Sequence, residues 1–489
     1  MKNIIYSSGI ALILLVFSNV ASNGQSVATE TNQLESIDTL SLSRITLVCD
    51  YASSVYRGKP MHYHWNISNR ISPMNGMNPV AGKVQINVVR PLGGKSRNNE
   101  KLIDEDTYKW DGEKYYYDWV PLKKQINNVG PANVYQLVTD NPPWAFQRGM
   151  DIGEGSTVET YGNPWPPNDP KAWSNYIQAM LKELITTYGK EQVEQWRYCI
   201  GREIGTPGHW RAGQLAFFEH YKNTKNAIHA VLPNAKVGTH FLWASSKHSY
   251  GPDFVKWCNQ NKVHYDYIGV SYYPFYNQIK RVDLDSVYKI DFAPIKDIPE
   301  WNSAATLEIH EFALITSMNA KGNGFENAPN AHQESFTVML AKMMYDHDMV
   351  DLFRWGSGEN KVAEHEFLSM KGNIYYKNSK QGVPNSSGNM VDAVFAQDPS
   401  TKQYNIMVYN YNAKPDSKNS EPLRIVTTIP LPPGTVIKYR SAIYKEDSLA
   451  WSAWKTDKTT AGKNATQSVA SFLTDIPVFS FAKYEIIAE

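Results

Sequence analysis

The sequence predicts an α/β protein made of a (β/α)8 barrel and an accessory antiparallel β-sandwich. Between residues 58 and 360, eight short strand-like runs alternate with longer stretches whose apolar residues recur every three or four positions. After residue 375, strand-like runs follow one another, separated by clusters of Pro, Gly, Asn and Ser. No Gly-rich phosphate loop follows an early strand, which argues against a doubly wound sheet, the main structural alternative.

Residues 1–24 have the pattern of a secretory signal peptide. An early Lys precedes an apolar run that is short for a membrane span, and small residues follow, so cleavage is expected near residues 21–24. No other stretch of about 18 apolar residues occurs. We therefore expect an exported protein, periplasmic or secreted, with no membrane association after cleavage.

The barrel is predicted over residues 58–370 and the sandwich over 371–489, with residues 25–57 adding one sandwich strand at 43–52. The barrel strands are expected at 61–67, 84–90, 132–139, 195–203, 236–243, 265–273, 306–313 and 351–355. Helices are expected at 169–189, 214–232 and 334–347. Gly189 closes the first of them, as is typical of helix C-caps.

Charge and cysteine content argue against several kinds of ligand. The chain has 49 Lys and Arg against 48 Asp and Glu, and no clustered basic stretch that would bind nucleic acid. Its three Cys do not make a disulfide framework, and Cys199, in an apolar run, is predicted to be a buried thiol. No pair of Cys or His has metal-ligand spacing, so no metal or other cofactor is expected. The 14 Trp and 30 Tyr favour a carbohydrate ligand, because aromatic faces stack on sugar rings.

Aromatic and polar residues gather where the predicted strands end. The working residues of a (β/α)8 barrel come from the carboxyl ends of its strands, so the sequence predicts a sugar-binding mouth there. The substrate-binding candidates are His64, Trp144, Arg202, His209, Trp210, His240, Trp243, Tyr273, His310 and Trp355.

Two of the strand ends carry glutamates. Glu203 ends the fourth strand, and Glu308 and Glu311 lie on the seventh. A pair of carboxylates can break a glycosidic bond: one donates a proton to the leaving oxygen while the other attacks the anomeric carbon or activates water. The donor needs a raised pKa, and Glu203, which is flanked by tryptophans in sequence, suits that role.

The stretch WSNYIQAMLKELITTYGKEQVEQWRYCIGREIGTPGHW, which begins at residue 173, resembles glycoside hydrolase family 39. That family includes β-xylosidases and α-L-iduronidases, and its pattern is a helix ending in a Tyr-Gly turn before a strand that closes on the acid/base glutamate. The resemblance implies a retaining glycosidase with a (β/α)8 barrel and an accessory β-sandwich. It also implies that Glu203 is the acid/base and, through the match of HEF at 310–312, that Glu311 is the nucleophile.

Glu308 remains the alternative nucleophile. Simple strand alternation puts Glu311 on the face of Leu307 and Ile309, and Glu308 on the face of His310. The family pattern favours Glu311, because apolar residues stand two and four positions before the nucleophile. Glu308 would then belong to a buried ion pair, or it would contact the site residues without contacting the substrate.

Arg202 departs from the family pattern, which has Asn before the acid/base, and Ile204 replaces the usual Pro. A guanidinium cannot accept a hydrogen bond from a sugar hydroxyl, but its planar fork suits a sulfate or carboxylate. We therefore hypothesise a poly- or oligosaccharide substrate with sulfate or uronate groups. Two alternatives stay open: Arg202 only holds Glu203 or Glu311 ionised, or the site has lost activity.

The leading interpretation is an exported retaining glycoside hydrolase that acts by double displacement. A catalytically silent carbohydrate-binding barrel would keep the aromatic mouth and use the glutamates as scaffold. A polysaccharide lyase would use Tyr273 or His240 to abstract a proton while Arg202 neutralised a uronate, but it leaves the paired glutamates unexplained.

Overall fold

The computed structural model describes residues 45–61, 64–67, 86–90, 92–94, 105–128, 134–147, 162–206, 208–242, 250–275, 284–318, 325–355, 362–462 and 464–488. For residues 64–67, 86–87, 128, 284–285, 318, 325 and 354–355, only the backbone is described. Elements are numbered below in chain order within these ranges.

The central sheet has eight parallel strands, one at each position predicted for the barrel. In spatial order they are β3 (His64–Ile67), β14 (Leu352–Trp355), β11 (Thr306–Phe312), β10 (Tyr267–Tyr272), β9 (Lys236–Phe241), β8 (Arg197–Ile204), β7 (Val134–Val138) and β4 (Ile86–Val89). The strands lie in chain order except that β3 pairs with β14, so β3 and β4 are the edge strands of the sheet as far as the structure describes it. Cα atoms of these two strands approach within 8 Å, although no backbone pairing joins them among the described residues.

Helices follow most of these strands along the chain. The described helices are α1 (Val120–Asn128), α2 (Pro170–Tyr188), α3 (Lys190–Glu194), α4 (Gln214–His229), α5 (Gly251–Asn261), α6 (Leu284–Asp291), α7 (Ala293–Lys296), α8 (Asn330–Asp346) and α9 (Val362–Ser369), with a 3-10 helix at Trp144–Gln147. The Asp169 side chain caps α2 by accepting from the N–H groups of Lys171 and Ala172, at 2.8 and 3.1 Å. Gly189 ends the helix with φ of 85°, as predicted.

Two further sheets make up the β-rich part of the chain. One contains β16 (Ser379–Gln381), β1 (Ile45–Asp50), β19 (Glu421–Ile429), β24 (Ser468–Ile476) and β23 (Thr460–Ala461). The other contains β2 (Arg57–Pro60), β15 (Ile374–Tyr376), β17 (Asn389–Gln397), β18 (Tyr404–Asn412), β25 (Ser480–Ala488), β20 (Val436–Lys445) and β21 (Ser448–Trp451), with β22 (Lys455–Lys458) beside β20. Two hairpins, β5 (Tyr108–Trp110) with β6 (Tyr115–Tyr117) and β12 (Ile315–Met318) with β13 (Phe325–Asn327), complete the described strands.

The N-terminal strand β1 changes one detail of the predicted antiparallel sandwich. It pairs antiparallel with β16 but parallel with β19. Parallel pairing is possible because the whole central sheet separates the two strands along the chain, and that connection is long enough to be a crossover. The other strand pairs of the two sheets are antiparallel.

The helix α8 lies between the central sheet and the sandwich. Its residues from His332 to Met344 are all buried, so this helix has no solvent face. The ring of Phe336 contacts Phe312 of β11 on one side and Tyr411 of β18 on the other, with ring centres 6.0 and 5.1 Å apart. One apolar core therefore runs from the sheet into the sandwich, and a second fills the space between the two sandwich sheets.

All three cysteines, Cys49, Cys199 and Cys258, are buried free thiols, which confirms the prediction for Cys199. No helix among the described residues is long and apolar enough to cross a membrane.

Candidate active site

Glu203 lies at the carboxyl end of β8, where the strand becomes irregular. Gly201 and Glu203 both have left-handed backbone angles, with φ of 79° and 44°, and the pairing with β9 shifts register between Ile200 and Ile204. A left-handed non-glycine residue is uncommon, and such residues concentrate at functional sites. The Glu203 carboxylate accepts a hydrogen bond from the Ser271 hydroxyl at 2.6 Å on Oε1, and His209 Nε2 lies 3.1 Å from Oε2.

Glu311 lies at the carboxyl end of β11 and is 3% exposed. The Tyr273 hydroxyl donates to Glu311 Oε2 at 2.8 Å, and Arg202 Nε lies 3.8 Å from Oε1. Because Arg202 immediately precedes Glu203, this contact joins the carboxyl ends of β8 and β11.

A β-bulge at His310 explains how Glu311 reaches this position. Val270 pairs with Ile309 and Ser271 pairs with Glu311, so His310 is an extra residue on β11. Strict alternation would turn Glu311 toward the outer face, where Ile309 packs in the apolar core. The extra residue reverses the alternation, and the Glu311 side chain therefore joins Tyr273 and Arg202.

A second arginine, Arg90, lies just beyond β4 and completes a buried cluster of charge. It bonds the Asp140 carboxylate through Nη2, which is also 2.5 Å from Asn141 Oδ1. The charge of Arg202 acts on Glu311, Glu203 and Asp140. The cluster thus holds two permanent cations and three acids in a region of low dielectric.

The two glutamates have shifted pKa values in opposite directions. Burial and the negative charge of Glu203 raise the pKa of Glu311 to about 8. Burial also raises the pKa of Glu203, but the hydrogen bond with His209 and the positive charge of Arg202 outweigh it and hold this pKa below the usual range of a carboxyl. The pair therefore keeps one proton at neutral pH. The raised pKa assigns that proton to Glu311, whereas the sequence predicted a raised pKa for Glu203.

Two buried histidines border Glu203. Burial lowers the pKa of both His209 and His240, so both rings are neutral at pH 7. His240 Nε2 lies 3.0 Å from the Ser271 hydroxyl oxygen. Since that hydroxyl donates its proton to Glu203, its oxygen accepts from His240, which assigns the Nε2–H tautomer to this ring.

Glu308 belongs to a separate, buried network of hydrogen bonds and ion pairs. It bonds Arg197 and accepts from the Thr306 hydroxyl at 2.8 Å, and His310 Nε2 is 2.8 Å from its Oε2. Arg197 also donates to Asp351 at 3.0 Å. This placement fits the ion-pair role that was the alternative for Glu308.

Two predicted substrate-binding residues, Trp210 and His310, have other surroundings. Trp210 is 6% exposed, donates its indole N–H to the Gly213 carbonyl at 2.7 Å and packs on Phe217, so it supports the loop after β8 from the core side. His310 contacts Glu308 and is buried in the sheet interior. Trp144 is half-buried in the 3-10 helix, and its backbone N–H donates to Asp106 at 2.8 Å.

Of the remaining predicted residues, Arg202, His209, His240 and Tyr273 lie around the two glutamates as described above. The side chains of His64, Trp243 and Trp355 lie outside the described residues.

Sequence reasoning missed Arg90 and Ser271 as members of the cluster, and it noted Asp140 at the end of the third strand without including it among the candidate site residues. Arg90 closes a strand-like run and Asp140 follows another, so their strand-end positions were a usable signal. Ser271 carried no such signal, because a serine inside a strand indicates nothing until its neighbours from other strands are known.

Comparison with known proteins places this geometry in context. The family profile described as Glycosyl hydrolases family 39 matches residues 147–290. An "Alpha-1,4-L-rhamnosidase" of Formosa agariphila is 47% identical over 456 residues, which are 91% of this chain and 93% of the relative.

Two solved structures share the fold at low sequence identity. A GH39 enzyme from Xanthomonas axonopodis pv. citri is 14% identical with a TM-score of 0.56, covering 91% of this chain and 97% of its own. A monomeric β-xylosidase from Caulobacter crescentus is 14% identical with a TM-score of 0.57, covering 90% and 99%.

Proposed function

Because this chain belongs to glycoside hydrolase family 39 and is a glycosidase, we propose that it cleaves an α-L-rhamnosidic bond by double displacement in a sulfated or uronic poly- or oligosaccharide. The sugar is inferred from the printed name of the Formosa relative, which aligns over nearly its whole length. The observation that carries the mechanism is the meeting of Glu203 and Glu311 around Arg202.

In this mechanism Glu203 donates its proton to the glycosidic oxygen as the bond to the leaving group breaks. Glu311 attacks the anomeric carbon and forms a glycosyl ester. Glu203, now ionised, then takes a proton from a water molecule, and the resulting attack on the anomeric carbon releases Glu311 and the sugar with its original configuration. The Tyr273 hydroxyl, 2.8 Å from Glu311, orients the attacking carboxylate.

Arg202 links the proposed substrate to the proton that Glu203 must carry. The positive charge of Arg202 lowers the pKa of Glu203, and this opposes proton donation. A sulfate or carboxylate of the substrate that paired with Arg202 would offset that charge and favour the proton on Glu203. The competing view, that Arg202 is only an ion-pair partner, is supported by its 3.8 Å approach to Glu311.

The substrate and stereochemistry can be tested with purified enzyme and aryl glycosides. We expect release of the aryl group from an α-L-rhamnoside, and NMR of the first sugar formed should show a retained anomeric configuration. Glu203→Ala with azide should yield a glycosyl azide of retained configuration, and Glu311→Ala one of inverted configuration. Binding without turnover would favour the silent barrel, and absorbance from a new double bond would favour the lyase.

The anionic part of the substrate has its own test. Arg202→Asn should reduce kcat/KM on an acidic oligosaccharide far more than on a neutral aryl glycoside. Comparing the two substrates removes the effect that the substitution has on the glutamates themselves. Equal losses on both would leave Arg202 as an ion-pair partner only.

Closure of the central sheet and export of the protein are also part of the proposal. The strand order supports closure of the central sheet between β3 and β4 into a complete barrel, which a crystal structure would test. Export with loss of residues 1–24 predicts a mature N-terminus near residue 25, which mass spectrometry of the exported protein would measure.

A further inference from the structure

Arg440 of β20, Trp451 of β21 and Trp454, which immediately precedes β22, form a stack on the sandwich. The Cζ atom of Arg440 lies 4.2 Å from the ring centre of Trp451 and 4.8 Å from that of Trp454. Glu485 fixes the guanidinium from the next strand, accepting from Nε at 2.7 Å and Nη2 at 2.6 Å. Two indoles are therefore held by a cation that is itself held by a carboxylate, so the stack is preorganised.

This stack is accessible to solvent. Trp454 is 42% exposed, and the Arg440 side chain is 31% exposed. Among the described tryptophans, Trp454 is the one that is largely exposed. Leaving a large apolar ring in water gives up the free energy of its burial, and a sugar ring stacked on the indole would recover part of it.

Strand register places two lysines on the face that carries the stack. Lys438 is two residues before Arg440 and pairs with Thr456, and Lys458 is two residues after Thr456. Residues two apart along a strand, and residues directly opposite across a pair, point to the same side of a sheet. Glu485 is opposite Arg440 and shares this side, but it is already paired with that arginine. Lys458 therefore adds an exposed positive charge at the edge of this face.

We propose that this face of the sandwich is a second carbohydrate-binding site, separate from the active site, for a polysaccharide with sulfate or carboxylate groups. The flat apolar C–H face of a pyranose ring covers an exposed indole, while its hydroxyls stay in contact with water. Lys458 would pair with an acidic group along the same polysaccharide chain. The site would hold a polymer on a glycosidase, and it does not depend on which bond the active site cuts.

Affinity electrophoresis in native gels that contain neutral, sulfated or uronic polysaccharides tests this site. The Glu311→Gln form is used as the parent so that no polymer is cut during the run. An acidic polymer should retard the parent, and added Trp454→Ala should weaken the apparent affinity about tenfold, equivalent to about 1.4 kcal/mol. Trp454→Phe, which keeps an aromatic face, should retain part of the binding. Lys458→Gln should weaken binding to acidic polymers but not to a neutral one.

Leu473→Ala is the matched control, because Leu473 is a 51% exposed apolar residue on the other sheet of the sandwich. It should leave retardation unchanged, and Trp454→Ala in the wild-type enzyme should leave kcat on a small aryl glycoside unchanged. Equal retardation of the parent and Trp454→Ala, or no retardation by any polymer, would overturn the proposal. A dimer that dissociates on Trp454→Ala in sedimentation would overturn it in favour of a self-association surface. Hydrolysis is measured separately, so a wrong substrate assignment would not be mistaken for a missing surface site.

Discussion

Glu203 and Glu311 titrate together because they belong to one buried cluster of charge. With Arg90, Arg202 and Asp140 they make two cations and three acids, and uptake of one proton leaves the cluster neutral. Removing that proton would bury an unbalanced negative charge, which is why the pKa of Glu311 rises to about 8. Double displacement needs one proton on the pair at the start of each cycle, so this charge balance suits the chemistry.

The first prediction concerns the pH dependence of kcat/KM on a neutral aryl glycoside. Activity should fall as pH rises through about 8, because above the pKa of Glu311 both carboxyls are ionised and no proton is left for the leaving group. On the acid side, a second proton binds to the glutamate pair only at a pH below the usual pKa range of a glutamate, because the pKa of Glu203 is lowered. The profile should therefore be broad and level between about pH 5 and 7. An alkaline limb centred below pH 6 would contradict the shared-proton account.

Substitution of Ser271 should change the pKa of Glu203 and therefore the protonation of the glutamate pair. Its hydroxyl donates to the ionised form of Glu203 at 2.6 Å, so Ser271→Ala removes a hydrogen bond to a charged group, worth about 1.5–3 kcal/mol. The pKa of Glu203 should rise, and the acid limb of the kcat/KM profile should move to higher pH, with kcat reduced about tenfold. Ser271→Thr keeps the hydroxyl and should restore the limb. A lower melting temperature with an unmoved pH profile would give Ser271 a purely structural role.

At the scale of secondary-structure elements, the strands were predictable and their irregularities were not. Apolar runs bounded by turn residues located all eight strands of the central sheet, because burial on both faces imposes that pattern locally. Alternation along 306–313, however, pointed Glu311 away from the site. The bulge at His310 corrects this, and it depends on how β10 and β11 align, which involves residues about 40 positions apart.

The same alignment separates the two candidate nucleophiles. Glu308→Gln leaves the buried Arg197 with Asp351 as its remaining carboxylate partner, and should cost about 3 kcal/mol of unfolding free energy in urea while kcat changes little. Glu311→Gln should lower kcat more than a thousandfold. It should not reduce stability at pH 9, because it removes a carboxyl whose pKa is raised by folding and whose ionisation is therefore destabilising there. Loss of kcat in Glu308→Gln without loss of stability would indicate that Glu308, and not Glu311, is the nucleophile.

At the scale of the whole molecule, α8 makes the central sheet and the sandwich parts of one core. A helix of a barrel normally has a solvent face, but α8 is buried on every side from His332 to Met344. Its sequence mixes Met, Phe and Leu with Lys342, whose ammonium group bonds Asp346. The ring of Phe336 sits between Phe312, next to Glu311, and Tyr411 of the sandwich. Such a helix cannot keep its fold if either neighbour unfolds, because one apolar side would then face water.

Unfolding should therefore be a single transition for the sheet and the sandwich. Phe336→Ala should lower the free energy of unfolding by about 3–5 kcal/mol. The urea midpoints at which the sheet and the sandwich unfold should both shift to the same, lower concentration. The buried thiols report each part separately, since Cys49 lies on β1 of the sandwich and Cys199 on β8 of the central sheet. Pulse labelling of these two thiols, read by mass spectrometry across a urea series, measures both midpoints. Phe472→Ala, in the core between the sandwich sheets, is the matched control and should also move both midpoints together. A shift of the Cys49 midpoint alone would show that the sandwich unfolds while the central sheet remains folded, and the shared core would then not bind the two parts into one unit.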